Sequence, residues 1–189
     1  MKIRYIIYAV ALLLVLSACN GETQPTGKEV APFSFIDQNE EPFGTDDLKG
    51  TVWVASFVFT NCETVCPPMM YEIASLQKTF EEEGLQVELV SFSVDPEVDS
   101  PDDLQEYVQQ FTNNESNWHM LTGYSQEKIE SFAREQFQTI VQKPDTSNQV
   151  IHGTNFYLVD DQVYVLNEYN YMDESYIEEM TEDIKKIYS

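Results

Sequence analysis

Two cysteines separated by three residues are the side chains of this sequence best suited to chemistry. Cys62 and Cys66 flank residues 63–65, and Pro67 and Pro68 follow directly. A thiolate is both a nucleophile and a ligand for soft metal ions. The pair therefore leaves two mechanisms open, namely thiol–disulfide exchange and the binding of a soft metal.

The neighbouring sequence predicts that this pair lies where a strand meets a helix. Residues 52–59 form a continuous apolar run rich in Val and Phe, which is typical of a strand buried on both faces. Pro67 disfavours the α conformation for Cys66 but is well tolerated in the first turn of a helix. We therefore expect Cys66 just outside the helix N-terminus, whose partial positive charge favours a thiolate.

The rest of the chain alternates predicted strands with predicted helices. Ser100 and Ser125 are good N-caps for two of the helices. We also predict an N-terminal hairpin over residues 33–42, strands at 87–94, 118–121, 155–159 and 163–166, and a last helix that contains Ile177, Met180, Ile184 and Ile187. This order predicts an α/β fold with a central mixed β-sheet flanked by helices. Because the cysteines follow the first central strand, the expected topology is thioredoxin-like.

A histidine is expected opposite the two cysteines. Thioredoxin-type catalysts have two residues between their cysteines, whereas this chain has three. Thioredoxin-like chains also usually carry a cis-proline just before the strand that faces the site, and here His152 stands next to that position. Two thiolates and one imidazole form a soft set of ligands suited to copper.

Four segments together make the sequence resemble the SCO/SenC family of copper-binding, thioredoxin-like assembly factors for cytochrome c oxidase. They are residues 59–68, 91–96, 121–123 and 150–152. The resemblance is close to the lipoprotein members found in Gram-positive bacteria. It extends from about Phe33 to the last helix.

The resemblance implies specific roles for several residues. Cys62, Cys66 and His152 would bind one copper ion per domain, Cu(I) or Cu(II), and the two cysteines would form a redox disulfide. Asp95 matches an acidic residue near the family's site, where it would support the metal ligands or take part in partner recognition. Alternatively, its only role is to end a strand in a turn. His119 matches no ligand position, and we expect it to be structural.

Two functions from different classes follow from these assignments. The first is a copper metallochaperone that helps load the CuA centre of cytochrome c oxidase subunit II. The second is a thiol–disulfide oxidoreductase that keeps the cysteines of that centre reduced. Other extracytoplasmic copper chaperones or thiol reductants are possible further partners. A peroxidase is disfavoured. Thioredoxin-like peroxidases usually have a Thr three residues before the first thiolate and an Arg on a later strand, whereas here Phe59 lies three residues before Cys62 and Arg134 falls in a predicted helix.

The first residues have the pattern of a secretory signal. Two basic residues precede an apolar segment at 5–16, and residues 16–19 resemble the lipobox of bacterial lipoproteins. We therefore expect a cleaved signal peptide at 1–18, a lipid on Cys19, a flexible tether at 19–30 and the folded domain at 31–189. The protein would then be anchored to the outer face of the cytoplasmic membrane.

The charge of the chain excludes some partners. The 189 residues carry a formal net charge of −23, and loss of Lys2 and Arg4 with the signal peptide would make it −25. Such a charge disfavours binding to nucleic acid and electrostatic adsorption to anionic lipid. A lipid anchor would therefore have to hold the protein at the membrane.

The lipid anchor can be tested by mass spectrometry of the protein extracted from membranes. We expect Cys19 to be the lipidated N-terminal residue of the mature chain. A Cys19→Ala variant should remain uncleaved or leave the membrane, while its domain keeps its stability. An unmodified Cys19 in membrane-derived protein would contradict this prediction.

Overall fold

The structure, a computed structural model, describes residues 27–189. The expected signal peptide, Cys19 and residues 20–26 of the expected tether lie outside this range. Lys28–Glu29, which we had assigned to the tether, instead form a short strand. No helix within residues 27–189 is long and apolar enough to cross a membrane.

The chain forms ten strands and five helices over the residues that the structure describes. The strands are β1 (Lys28–Glu29), β2 (Ser34–Ile36), β3 (Pro42–Gly44), β4 (Val52–Val58), β5 (Val87–Ser93), β6 (Trp118–Leu121), β7 (Val141–Gln142), β8 (Ile151–His152), β9 (Asn155–Val159) and β10 (Tyr164–Asn170). The helices are α1 (Thr45–Leu48), α2 (Cys66–Glu83), α3 (Pro101–Val108), α4 (Gln126–Phe137) and α5 (Tyr176–Ile187).

The main sheet has six strands in the order β1-β10-β9-β4-β5-β6. Strands β4, β5 and β6 are parallel, whereas β9 is antiparallel to β4 and β10 is antiparallel to β9. Two small antiparallel sheets, β2–β3 and β7–β8, complete the fold. The mixed sheet, its flanking helices and the N-terminal hairpin confirm the predicted thioredoxin-like α/β fold.

Strand β4 is the centre of the sheet because it can be buried on both faces. All seven of its residues are buried, as the continuous apolar run predicts. On one side, Trp53 pairs with Val159 and Ala55 pairs with Tyr157 of antiparallel β9. The chain that precedes β9 therefore lies beside the end of β4, and parallel β5 ends at the same edge.

The start of α2 differs slightly from the prediction. Cys66 is the first residue of the helix, because the Val65 carbonyl already accepts a hydrogen bond from the Met69 N–H at 3.1 Å. Pro67 and Pro68 fit this first turn, where helical N–H groups have no intrahelical partner. The side chains of Met69 and Met70 in this turn are fully buried in the core.

One face of the sheet carries an aromatic core. The Phe92 ring lies 5.5 Å from Phe33, 5.4 Å from Phe57 and 5.2 Å from Phe132, measured between ring centroids. These contacts join β5 to the chain before the N-terminal hairpin, to β4 and to α4. On the other face, Tyr176 of α5 packs at 5.7 Å against Phe156 of β9. The core thus fixes β4 from both sides.

The aromatic core should dominate the stability of the domain. Phe92→Ala should lower the free energy of unfolding by about 3–5 kcal/mol, because a fully buried ring is lost and a cavity remains. Met172→Ala is the control, since the Met172 side chain is 67 % exposed and its loss should change little. Urea titrations of the two variants measure the difference. Equal stabilities would contradict the assignment of Phe92 to the centre of the core.

Candidate metal centre

Cys62, Cys66 and His152 meet at the edge of the sheet where β4 ends. Their ligand atoms all lie within 4.8 Å of one another. Cys66 Sγ is 3.4 Å from Nε2 of His152, although 86 residues separate them in the chain. Within residues 27–189, no other group of three or more His, Cys, Asp or Glu side chains converges in this way.

The turn after β4 places the two sulfur atoms close together. The Cys62 N–H donates to the Phe59 carbonyl at 3.4 Å, and the Cys66 N–H donates to Cys62 Sγ at 3.3 Å. Both side chains are buried, and no disulfide joins them. The dithiol is therefore preorganised by the backbone of the loop and of the first turn of α2.

A backbone hydrogen bond orients His152. Its Nδ1 lies 2.8 Å from the Gly153 carbonyl oxygen. Because a carbonyl can only accept, this contact assigns the ring proton to Nδ1 and leaves the lone pair of Nε2 directed towards Cys66. Gly153 is needed for close packing, since a Cβ there would lie 2.0 Å from Oγ1 of Thr139. The Phe59 ring packs against the imidazole in a T-shaped contact, with 5.7 Å between the ring centroids.

The two thiols have opposite electrostatic environments. A hydrogen bond from Cys66 holds the pKa of Cys62 well below its usual range, against the opposing effect of burial. The same hydrogen bond to Cys62, together with burial, raises the pKa of Cys66. The metal-free site therefore contains a thiolate at Cys62 and a protonated thiol at Cys66.

Asp95 does not belong to the metal-binding group. Its carboxylate is 2 % exposed and accepts a hydrogen bond from Nζ of Lys143 at 2.6 Å. Lys143 directly follows β7, whose partner strand β8 contains His152. Nothing in the sequence pattern indicated Lys143, because the two residues of this ion pair are 48 positions apart.

Asp99 is a second buried acid that the sequence analysis missed. Its Oδ1 accepts from Oγ1 of Thr60 at 2.6 Å, and its Oδ2 accepts from Oγ of Ser93 at 2.5 Å. Burial raises the pKa of Asp99. It thus connects the loop after β5 to the cysteine loop two residues before Cys62. Its only signal in the sequence is its spacing, four residues after Asp95.

His119 lies outside the metal-binding group, in agreement with its expected structural role. Its ring stacks on Phe43 at 3.7 Å between centroids. Nδ1 is 3.6 Å from Oδ2 of Asp37, and Nε2 is 3.4 Å from Oε2 of Glu88. The imidazole therefore connects β6 with the N-terminal hairpin and β5.

The arrangement supports two kinds of chemistry. Two sulfurs and one imidazole nitrogen fit a soft metal ion, and copper in particular. A thiolate beside a protonated thiol also suits thiol–disulfide exchange, in which Cys62 attacks and Cys66 resolves. His152 is a ligand in the first case, whereas in the second it acts only on the ionisation of the sulfurs.

Comparisons with known proteins agree on one family. The sequence model of the SCO1/SenC family matches residues 21–189. A SCO1/SenC family lipoprotein from Bacillus anthracis is 47 % identical, with a TM-score of 0.84 over 88 % of this chain and 99 % of that one. BsSco, described as a cytochrome c oxidase assembly protein with a disulfide switch, is 43 % identical, with a TM-score of 0.79 over 87 % and 95 % of the two chains. Copper-bound ScoI from Arabidopsis thaliana is 28 % identical, with a TM-score of 0.69 over 84 % and 96 %.

The reactivity of Cys62 tests its low pKa. In the reduced, metal-free chain, alkylation of Cys62 by iodoacetamide should remain almost equally fast between pH 8 and pH 6, because its thiolate persists. A thiol of ordinary pKa would lose roughly 80-fold in thiolate over the same range. Cys66→Ala removes the hydrogen bond that contributes most to the low pKa of Cys62. In this variant, the alkylation rate of Cys62 should therefore fall as the pH is lowered. A wild-type rate that falls in parallel with free glutathione would contradict the assigned thiolate.

Proposed function

The chain belongs to the SCO1/SenC family, and from this membership we propose that it binds copper through Cys62, Cys66 and His152 to assemble cytochrome c oxidase. More specifically, it would help to load the CuA centre of oxidase subunit II. The observation that carries this proposal is the convergence of two sulfurs and the free Nε2 lone pair within 4.8 Å. Support also comes from the similar ScoI structure, which is described with copper bound.

Each residue has a distinct task in capturing copper, which is here the cargo of the protein. The Cys62 thiolate is ready to bind, whereas Cys66 must first release its proton, so that metal capture is coupled to proton release. The Gly153 carbonyl keeps Nε2 of His152 available as the third ligand. Oxidation of the two cysteines to a disulfide would remove two of the three ligands and favour release.

The proposed location is the outer face of the cytoplasmic membrane. The pattern at residues 16–19 supports a lipid on Cys19, and the similar protein from Bacillus anthracis is described as a lipoprotein. The signal peptide would be residues 1–18, and the tether would end before β1. This location would present the copper site to extracytoplasmic partners, which include subunit II and copper or thiol donors.

A thiol–disulfide reductase that acts on the CuA cysteines is the second candidate. The observation that favours it is the difference between the thiols, with Cys62 ionised and Cys66 protonated. BsSco, which is similar over most of the chain, is described with a disulfide switch. Both candidates use the dithiol, but only copper delivery requires His152 as a ligand.

Copper titrations of the full chain in detergent test the proposed ligand set. The reduced protein should bind one copper ion, and the Cys62–Cys66 disulfide form should bind far less. His152→Ala should weaken binding by more than about 100-fold, because even changes beside a ligand cost about 10–100-fold. A disulfide form that binds copper as tightly as the reduced form would contradict the site.

The same variant separates the two candidate functions in cells that carry this chain as their sole family member. Oxidase activity and the reduction potential of the Cys62–Cys66 pair are measured for His152→Ala. Loss of CuA-oxidase activity with a nearly unchanged potential supports copper delivery. Full oxidase activity in a variant shown to have lost copper binding would refute it and favour the reductase.

A further inference from the structure

The hairpin that carries His152 is too short to hold its own position. Strands β7 and β8 contain two residues each, with Val141 paired to His152 and Gln142 paired to Ile151. Even a complete two-stranded hairpin is only marginally stable in water. The distance between the imidazole and the cysteines therefore depends on contacts between this hairpin and the rest of the domain.

Lys143 makes three of these contacts. Its Nζ lies 2.6 Å from Oδ1 of Asp95 and 3.4 Å from Oε2 of Glu97, both in the loop after β5. Its backbone N–H donates to Oε1 of Glu130 on α4 at 3.0 Å. The hairpin also has a weaker link to the cysteine loop, where Nε2 of Gln149 donates to the Asn61 carbonyl at 3.0 Å.

The burial of the ion pair distinguishes it from surface ion pairs. The side chain of Asp95 is 2 % exposed and that of Lys143 is 21 % exposed. Loss of the ammonium group would leave a buried carboxylate without its charged partner, which is strongly unfavourable. The loop after β5 would then have to move towards solvent, and the hairpin would lose one of its attachments to the rest of the domain.

We propose that Lys143 is a positioning residue that holds the His152 hairpin against Asp95 and thereby sets the affinity of the site for copper. The effect passes from Lys143 through the adjacent β7 to the residue pair of Val141 and His152. The inference rests on the proposed copper function, because it needs His152 to act as a ligand. Cys62 and Cys66 belong to α2 and the preceding loop, so the two sulfurs should remain in place when the hairpin moves.

Two Lys143 variants and a matched control test this role in the reduced full chain. Lys143→Met keeps the aliphatic stem and removes the charge, so Cu(I) affinity, measured by competition with a chromophoric chelator, should fall about 10–100-fold. Lys143→Arg keeps the charge and should retain most of the affinity. The control is Lys49→Met, since Lys49 forms an equally short ion pair of 2.6 Å with Asp46 that is exposed to solvent. It should leave the affinity unchanged.

A double-mutant cycle with His152→Ala separates positioning from general destabilisation. If Lys143 acts through His152, Lys143→Met should cause no further loss of affinity once His152 is absent. An equal fold loss in both backgrounds would overturn the proposal, as would an unchanged affinity of Lys143→Met beside a weakened His152→Ala. If His152→Ala binds copper as tightly as the wild type, the proposed ligand set fails together with this inference.

A second variant keeps the test decisive if Lys143→Met does not fold. Asp95→Asn combined with Lys143→Met breaks the same link but leaves no unpaired buried charge. This double variant should fold and should show the same loss of copper affinity, again only when His152 is present. Wild-type affinity in the folded double variant would overturn the role of Lys143.

Discussion

The antiparallel pairing of β9 with β4 is the constraint on which the site depends. It turns a chain separation of 86 residues between Cys66 and His152 into a distance of 3.4 Å between Sγ and Nε2. The aromatic packing on one face and the helices on the other hold β4 in the centre of the sheet. Any change that shifts the register of β9 would therefore move the imidazole away from both sulfurs, because the cysteines follow β4, the other strand of the pair.

The fold was predictable where burial imposes a regular pattern. The apolar run of β4, the strand at Asn155–Val159 and the N-caps Ser100 and Ser125 all agree with the structure. The turn between β9 and β10 was also predicted, but β10 begins at Tyr164 rather than Val163, because Val163 takes the left-handed position of the turn with φ +70°. The short strand β1 escaped prediction, because two polar residues carry no periodicity.

The candidate site likewise contains residues that could be predicted from the sequence and contacts that could not. Cys62 and Cys66 were found from residue type and spacing, whereas His152 was found from its place in the expected thioredoxin-like topology and from the family resemblance. The structure brings the three together. The contacts that support them were not predictable in the same way. Lys143 meets Asp95 only because two loops from different parts of the chain cross at one edge of the sheet. Such tertiary contacts leave no pattern in a single sequence, since each partner alone is an ordinary charged residue on a loop.

The charges around the dithiol explain why the site suits a cation. The Cys62 thiolate, aided by the nearby Asp99 carboxyl, helps to keep the pKa of Cys66 high, so a second thiolate does not form on its own. Lys143 is already engaged by Asp95 and Glu97 and, within residues 27–189, makes no hydrogen bond to the sulfurs. A bound copper ion would supply the missing positive charge and displace the Cys66 proton. Because protons and copper compete for the same sulfur, copper binding should weaken as the pH falls.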